Sequence, residues 1–336
     1  MLKMPLVHNR EMTAAIVPSM RWDGRENFSA WQERGRTKLT ELLGLPFKKC
    51  DPKFKIDYQV SHETFDETRF VFQSEEGFYV PCHFWKPKKS SGPVPLVICL
   101  QGHSRGMHIS MGRPKFPGDE ESISGGDRDF AVRVIREGYC ALIMEQRCFG
   151  ELGGTEKGPD CTTSTLAAFL IGRTTSGERI WDLQRALDLT LEKFPEADKN
   201  KIVCMGNSTG GTTTLYASCL EPRIGYSMPS SYFCSFDDSL GALHHCACNF
   251  IPNIRLYMDM GDMAGLIAPR PLVAVSGMMD PIIPHIGAHK AFREAQRLYA
   301  AAGAPDKLKL VVGEYGHRFY ADQGWEAMNV YLKEKK

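Results

Sequence analysis

The sequence predicts an α/β protein: a mostly parallel central sheet with an antiparallel N-terminal hairpin and helices on both faces. Two observations carry this expectation. From residue 95 onward, short and continuously apolar runs alternate with helical patterns, the signature of parallel strands covered on both sides. Before that point, Phe54 to Phe72 and Phe78 to Trp85 alternate in aromatic and β-branched residues and are split by Ser-Glu-Glu-Gly, which reads as a hairpin at the sheet edge.

The elements follow in order. Residues 27 to 43 place Phe28, Trp31, Leu39, Leu42 and Leu43 between charged positions, as in an amphipathic helix stopped by Gly44 and Pro46. Strands are expected at 95–100, 139–144, 201–205, 224–228, 271–276 and 307–312, with helices at 127–137, 178–193, 209–220, 286–302 and 319–334. Two long connections, 103–126 and 230–266, leave the C-terminal ends of strands, where open α/β sheets bind ligands. Residues 1–50 are expected to form a helical extension packed on a catalytic domain spanning 51–336, with both long loops over its site.

Composition narrows the function. The 336 residues are 43% hydrophobic and 24% charged, enough for a full-sized core. A formal charge of +1, from 41 basic and 40 acidic side chains, offers no field for nucleic acid or an anionic membrane, and a small neutral substrate fits better. No segment approaches the roughly 18 apolar residues of a membrane span, and the N-terminus lacks an export-signal pattern, so a cytoplasmic location is expected. Eleven cysteines, several of them inside apolar strand runs (Cys99, Cys140, Cys204), fit a reducing compartment. The segment His244-His245-Cys246-Ala247-Cys248 lacks the paired C-x-x-C arms of a structural zinc site, and no metal or other cofactor is expected.

Two segments fit Gly-x-Ser-x-Gly after a strand: Gly102 to Gly106 around Ser104, and Gly206 to Gly210 around Ser208. A serine nucleophile must stand exposed on a rigid turn, with glycines relieving the crowding and a helix N-terminus presenting N–H groups to the developing oxyanion. Thr209 and the residues after it can start a helix at once, whereas Arg105-Gly-Met-His-Ile-Ser-Met-Gly cannot. Ser208 is therefore expected to attack. The backbone N–H groups of Thr209 and His103 are expected to form the oxyanion hole, with Gln101 or Gly102 as alternatives to His103.

The base and its acid should follow in the order Ser, Asp or Glu, His. Asp280 ends the loop after the 271–276 strand, and His317 lies on the loop between the last strand and the last helix. His317 is expected to take the serine proton and Asp280 to orient the imidazole. His285 and His289 follow the acid too closely, and His244 and His245 precede it. Asp237, Asp238, Asp259 and Asp262 are caps, or the acid if Asp280 merely closes a turn. Arg147 and the Trp181-Asp182 helix are expected to brace the sheet through buried ion pairs. Gln101, Tyr232 and Phe233 are the candidate pocket residues, with an ordinary core role the alternative for the aromatic pair and for Trp325.

Together, Leu-Gln-Gly102-His, Gly206-Asn-Ser208-Thr-Gly-Gly, Ala268-Pro-Arg-Pro-Leu, Gly277-Met-Met-Asp280-Pro and Gly316-His317 resemble the α/β-hydrolase-fold esterases close to dienelactone hydrolases and acetyl xylan esterases. Dienelactone hydrolases carry a cysteine nucleophile where this chain has Ser208, and the best-known acetyl xylan esterases carry Gln where it has Thr209. The resemblance implies hydrolysis of a small carboxylic ester, such as an acetylated sugar, through an acyl-enzyme and without a cofactor. A prolyl-oligopeptidase-like peptidase and a non-catalytic binding protein on the same fold are the other readings.

Overall fold

In the computed structural model, which describes residues 2–90, 92–155 and 158–333, the apolar runs become strands of one sheet. They are β1 (Lys55–Ser61), β2 (Phe65–Glu75), β3 (Phe78–Pro87), β4 (Val94–Leu100), β5 (Cys140–Met144), β6 (Ala197–Asn207), β7 (Tyr226–Ser230), β8 (Leu272–Gly277) and β9 (Leu308–Gly313). Their order is β1-β2-β3-β5-β4-β6-β7-β8-β9. The pairs among β1, β2, β3 and β5 are antiparallel, and those from β5 through β4 to β9 are parallel.

Both faces of the central strands are apolar, which is why those runs read as continuous. Leu96, Ile98 and Leu100 of β4 enter one core layer, and Val97 and Cys99 enter the other. The first layer is covered by helices Phe28–Leu43, Thr175–Lys193, Thr209–Leu220, Met260–Ile267 and His285–Ala301, the second by Phe130–Arg136 and Ala321–Leu332. The 28–43 helix is tied down by polar contacts as well. Trp31 Nε1 donates to the Met20 carbonyl at 2.7 Å, and Gln32 Nε2 donates to the Gly265 and Ala268 carbonyls, each at 2.7 Å.

Three features differ from the sequence expectation. The Phe54 to Phe72 stretch is two strands rather than one hairpin arm, so the edge is a three-stranded meander. Its turn, His62-Glu63-Thr64, contains no Gly or Pro and gave no turn signal; His62 N–H closes it onto the Phe65 carbonyl at 2.9 Å. A helix at Pro5–Ala15 buries no side chain and so left no apolar stripe to read. The long connections are partly helical, at Asp119–Gly126, Ile254–Tyr257 and Met260–Ile267, and a third, between β5 and the helix at Thr175, carries the helix Thr162–Leu170.

The strand order reverses at β4. The chain passes from β4 to β5 on one side and then to β6 on the other, opening a crevice beyond the C-terminal ends of β4 and β6. His103 and Ser208 lie at its two lips.

Candidate active site

β6 ends at Asn207 and a helix begins at Thr209, so Ser208 makes the whole turn. Its backbone takes φ 58° and ψ −122°, a conformation costing about 1–3 kcal/mol for a residue with a Cβ. Hydrogen bonds hold it there: Ser208 N–H donates to the Ser230 carbonyl at 2.8 Å, and Thr212 N–H donates to the Ser208 carbonyl at 2.9 Å. The flanking glycines are required by close approach. A Cβ on Gly210 would lie 2.0 Å from the Leu100 carbonyl oxygen, and one on Gly206 would lie 2.6 Å from the same atom. The helix can therefore start directly against β4, leaving the half-buried Ser208 side chain at the crevice.

Asp280 and His317 meet. Asp280 Oδ1 accepts from the N–H groups of Ile282 and Ile283, each at 3.0 Å, which leaves Oδ2 facing His317 Nδ1 at 2.7 Å. The carboxylate is buried and the imidazole partly open. The histidine loop is fastened to the end of β7, where the Arg318 carbonyl accepts from Ser231 Oγ at 3.1 Å and lies 3.4 Å from Ser230 Oγ. The end of β7 thus supports both sides, the Ser230 carbonyl holding Ser208 and the Ser231 hydroxyl holding the His317 loop, while the Ser230 hydroxyl donates to Asn207 Oδ1 at 3.0 Å. Among the described residues no hydrogen bond joins Ser208 Oγ to His317 Nε2; such contacts commonly tighten only when substrate is bound.

The loop after β4 closes on the elbow, for a Cβ on Gly102 would sit 2.7 Å from the Asn207 carbonyl oxygen and 3.0 Å from Ser208 Cβ. Ser104 turns back into its own loop, bonding the Gly106 carbonyl at 3.4 Å. His103 reaches across the crevice, its Nδ1 lying 2.5 Å from Thr209 Oγ1. Among the described residues neither the Thr209 nor the His103 backbone N–H donates to a protein acceptor.

A strand, a strained serine turn and a helix, followed by an acid and a histidine on later strand ends, are the parts of a hydrolase elbow. The sequence matches the Abhydrolase family over residues 7–329. The chain belongs to that family. Bacillus subtilis (strain 168) YtaP is 27% identical over 247 residues, covering 70% of this chain and 77% of that protein. The 4-O-methyl-glucuronoyl methylesterase 1 of Wolfiporia cocos is 25% identical over 192 residues, covering 49% of this chain and 44% of that enzyme. A candidate acetyl xylan esterase of Bacteroides fragilis, BF1801, superposes with a TM-score of 0.78 at 17% identity, covering 93% of this chain and 83% of that structure.

The loop after β4 of this Abhydrolase-family chain rests on a buried carboxyl. Glu145, at the end of β5, accepts from Gln101 Nε2 at 2.6 Å and from Met107 N–H at 3.0 Å and 3.2 Å. Burial pushes its pKa up to about 7, against the pull of the Met107 and Glu151 N–H groups. Gln101, expected in the pocket, is consequently a buried support for the loop rather than a group open to substrate. Tyr232 and Phe233 are also buried: their bulk is drawn into the helix-side core, where the Tyr232 and Tyr216 hydroxyls bond at 2.9 Å. Trp325 is a core residue on the opposite face.

An open cavity of about 500 Å³ is instead lined by Thr162, Phe169, His244, His245, Cys246 and their neighbours Ala247 and Phe250. His245 lies in the field of Asp280 and His317; burial, reinforced by His317, lowers its pKa. The remaining acids have structural partners. Asp237 pairs with Arg255, Asp238 with Lys290, and Asp259 and Asp262 form a reciprocal capping box at the helix Met260–Ile267. Arg147 grips Asp182 at 2.7 Å and 2.8 Å and Glu75 at 2.6 Å, tying β2, the loop after β5 and the helix Thr175–Lys193 together.

The 244–248 segment does more than its spacing suggested. Cys246 and Cys248 converge with Cys161 and His103, and the four donor atoms lie within 4.8 Å of one another. Their partners come from other loops, so no local spacing could have revealed the group.

Proposed function

We propose that this chain is a serine carboxylesterase cleaving short acyl esters, acetyl above all, of sugars or similar small molecules through an acyl-enzyme. The observation that carries the reading is the His317 Nδ1 to Asp280 Oδ2 contact of 2.7 Å on a loop anchored by Ser231 at the end of β7, where the Ser230 carbonyl also anchors the strained Ser208. With Nδ1–H donated to Asp280, Nε2 keeps its lone pair for the Ser208 proton. Ser208 Oγ attacks the ester carbonyl as that proton moves to His317. The Thr209 and His103 N–H groups receive the oxyanion, and the imidazolium protonates the departing alcohol. Water, deprotonated by His317, then releases the acid and restores Ser208.

The ester class draws support from the names of the Wolfiporia cocos methylesterase and of BF1801, both of which describe esters on carbohydrates. Among the described residues no helix is long and apolar enough to cross a membrane. The eleven free cysteines suit a reducing compartment, and we assign the reaction to the cytoplasm.

Ser208→Ala is expected to abolish both p-nitrophenyl acetate hydrolysis and labelling by a fluorophosphonate. Persistence of both removes Ser208 from the mechanism. A comparison of acetyl, butyryl and feruloyl esters tests the acyl preference, and faster turnover of the larger groups would overturn it.

A further inference from the structure

We propose that His103, Cys161, Cys246 and Cys248 bind one zinc ion in a closed, structural site beside the crevice. This goes beyond the esterase reading and stands whether or not Ser208 is the nucleophile.

The donor spacing is compatible with tetrahedral ligation. Zn–S bonds of about 2.3 Å and a Zn–N bond of about 2.0 Å place neighbouring donors roughly 3.5 to 3.8 Å apart. His103 Nε2 is 3.3 Å from Cys248 Sγ and 3.7 Å from Cys161 Sγ, and all four donors fall within 4.8 Å of one another. Shifts of about 1 Å or less bring the donors to these spacings. Three soft sulfurs and one imidazole are the donor set that selects zinc over the hard cations.

The histidine is prepared for the role. His103 Nδ1 contacts Thr209 Oγ1, and that hydroxyl in turn donates to Asn249 Oδ1 at 3.3 Å. When the hydroxyl gives its one proton to Asn249, Nδ1 must donate to Oγ1, and the Nε2 lone pair is then left for the ion among the sulfurs. A zinc-bound histidine is oriented by such a bond from its other nitrogen.

The charge is prepared too. Three thiolates around Zn²⁺ leave a net charge of −1, and a buried cation stands beside them. Arg179 is 1% exposed, lies with Nη2 at 3.7 Å from Cys161 Sγ, and keeps a buried Nη1 without a hydrogen-bond partner. Among the described residues no carboxylate pairs with it. An anionic metal–thiolate centre supplies the compensation that a buried guanidinium requires. Four protein donors would leave no open position, so the ion would hold three loops together, those carrying His103, Cys161 and the Cys246–Cys248 pair, rather than activate water.

The test uses the full chain, freed of any affinity tag and purified without chelator. Mass spectrometry of the metal is expected to find about one zinc per chain, and protein loaded with Co²⁺ is expected to show the intense visible bands and near-ultraviolet charge transfer of tetrahedral thiolate ligation. Cys246→Ser with Cys248→Ser is expected to keep less than about a tenth of the zinc, while Cys204→Ser, in β6 outside the cluster, keeps all of it. Wild-type protein that retains no metal after zinc incubation and desalting overturns the proposal. So does a cobalt spectrum without thiolate charge transfer, or a thiol titration showing these cysteines paired in disulfides. The wild-type measurements decide the matter even if the double variant fails to fold.

Discussion

Thr209 Oγ1 lies 2.5 Å from His103 Nδ1, joining the residue after the elbow serine to the loop after β4 across the crevice. These two residues carry the backbone donors proposed for the oxyanion, so the bond sets their separation. Thr209→Val keeps the backbone N–H and removes only the hydroxyl. One lost buried hydrogen bond, worth about 1–1.5 kcal/mol, corresponds to a roughly tenfold fall in kcat with p-nitrophenyl acetate, and Thr209→Ser should recover most of it. Equal kcat in the valine variant and the wild type would show that the bond does not position the donors.

Asp280→Asn separates orientation from stability. The amide oxygen can still accept from the Ile282 and Ile283 N–H groups, so the turn and the thermal midpoint should hold. The amide nitrogen, however, would face His317 Nδ1 with a donor and force the ring proton onto Nε2. If Asp280 orients the base, a fall of about 10⁴-fold in kcat/KM is expected, the cost of the same change in known Ser-His-Asp sites. Near-normal turnover would mean that the His317 tautomer is set by something other than Asp280.

Glu145 makes stability depend on pH. Its folded pKa of about 7 lies above the ordinary 4.5, so between those values the folded chain holds a proton that the unfolded chain releases. Stability is therefore lost as pH rises from 4.5 to 7, and the full penalty, on the order of 3 kcal/mol, applies above that window. Glu145→Gln, which cannot ionise, should flatten this part of the profile. Urea unfolding midpoints at pH 5 and pH 8 measure it, and an unchanged gap in the variant would contradict the burial of an ionising carboxyl.

Much of the placing of the candidate residues was legible because its signals are local. Ser208 announces itself through glycines on both sides, a strand before and a small-residue helix after, and each glycine meets backbone that tolerates no Cβ. Asp280 and His317 are legible as loop residues behind strands in the required order. The pocket was not. Tyr232 and Phe233 follow β7 as an aromatic pair that suits a wall or a core equally, and only tertiary packing draws them into one core layer, Tyr232 against Tyr216 of the helix Thr209–Leu220. The split of the first strand stretch escaped notice because His62-Glu63-Thr64 turns without a turn residue.

The sequence by itself determined the alternation of strands and helices, the glycine-flanked turn at Ser208, and the placing of Asp280 and His317 on loops behind later strands, since periodicity and turn chemistry act over a few residues. Only the tertiary structure decided what meets across the crevice. His103 lies 58 residues from Cys161 and 145 from Cys248 along the chain, yet their donor atoms lie within reach of one ion. That convergence depends on which strands are neighbours and on how three loops pack above them. Contacts of this kind follow from the burial of the whole core, and no short window of sequence contains the information.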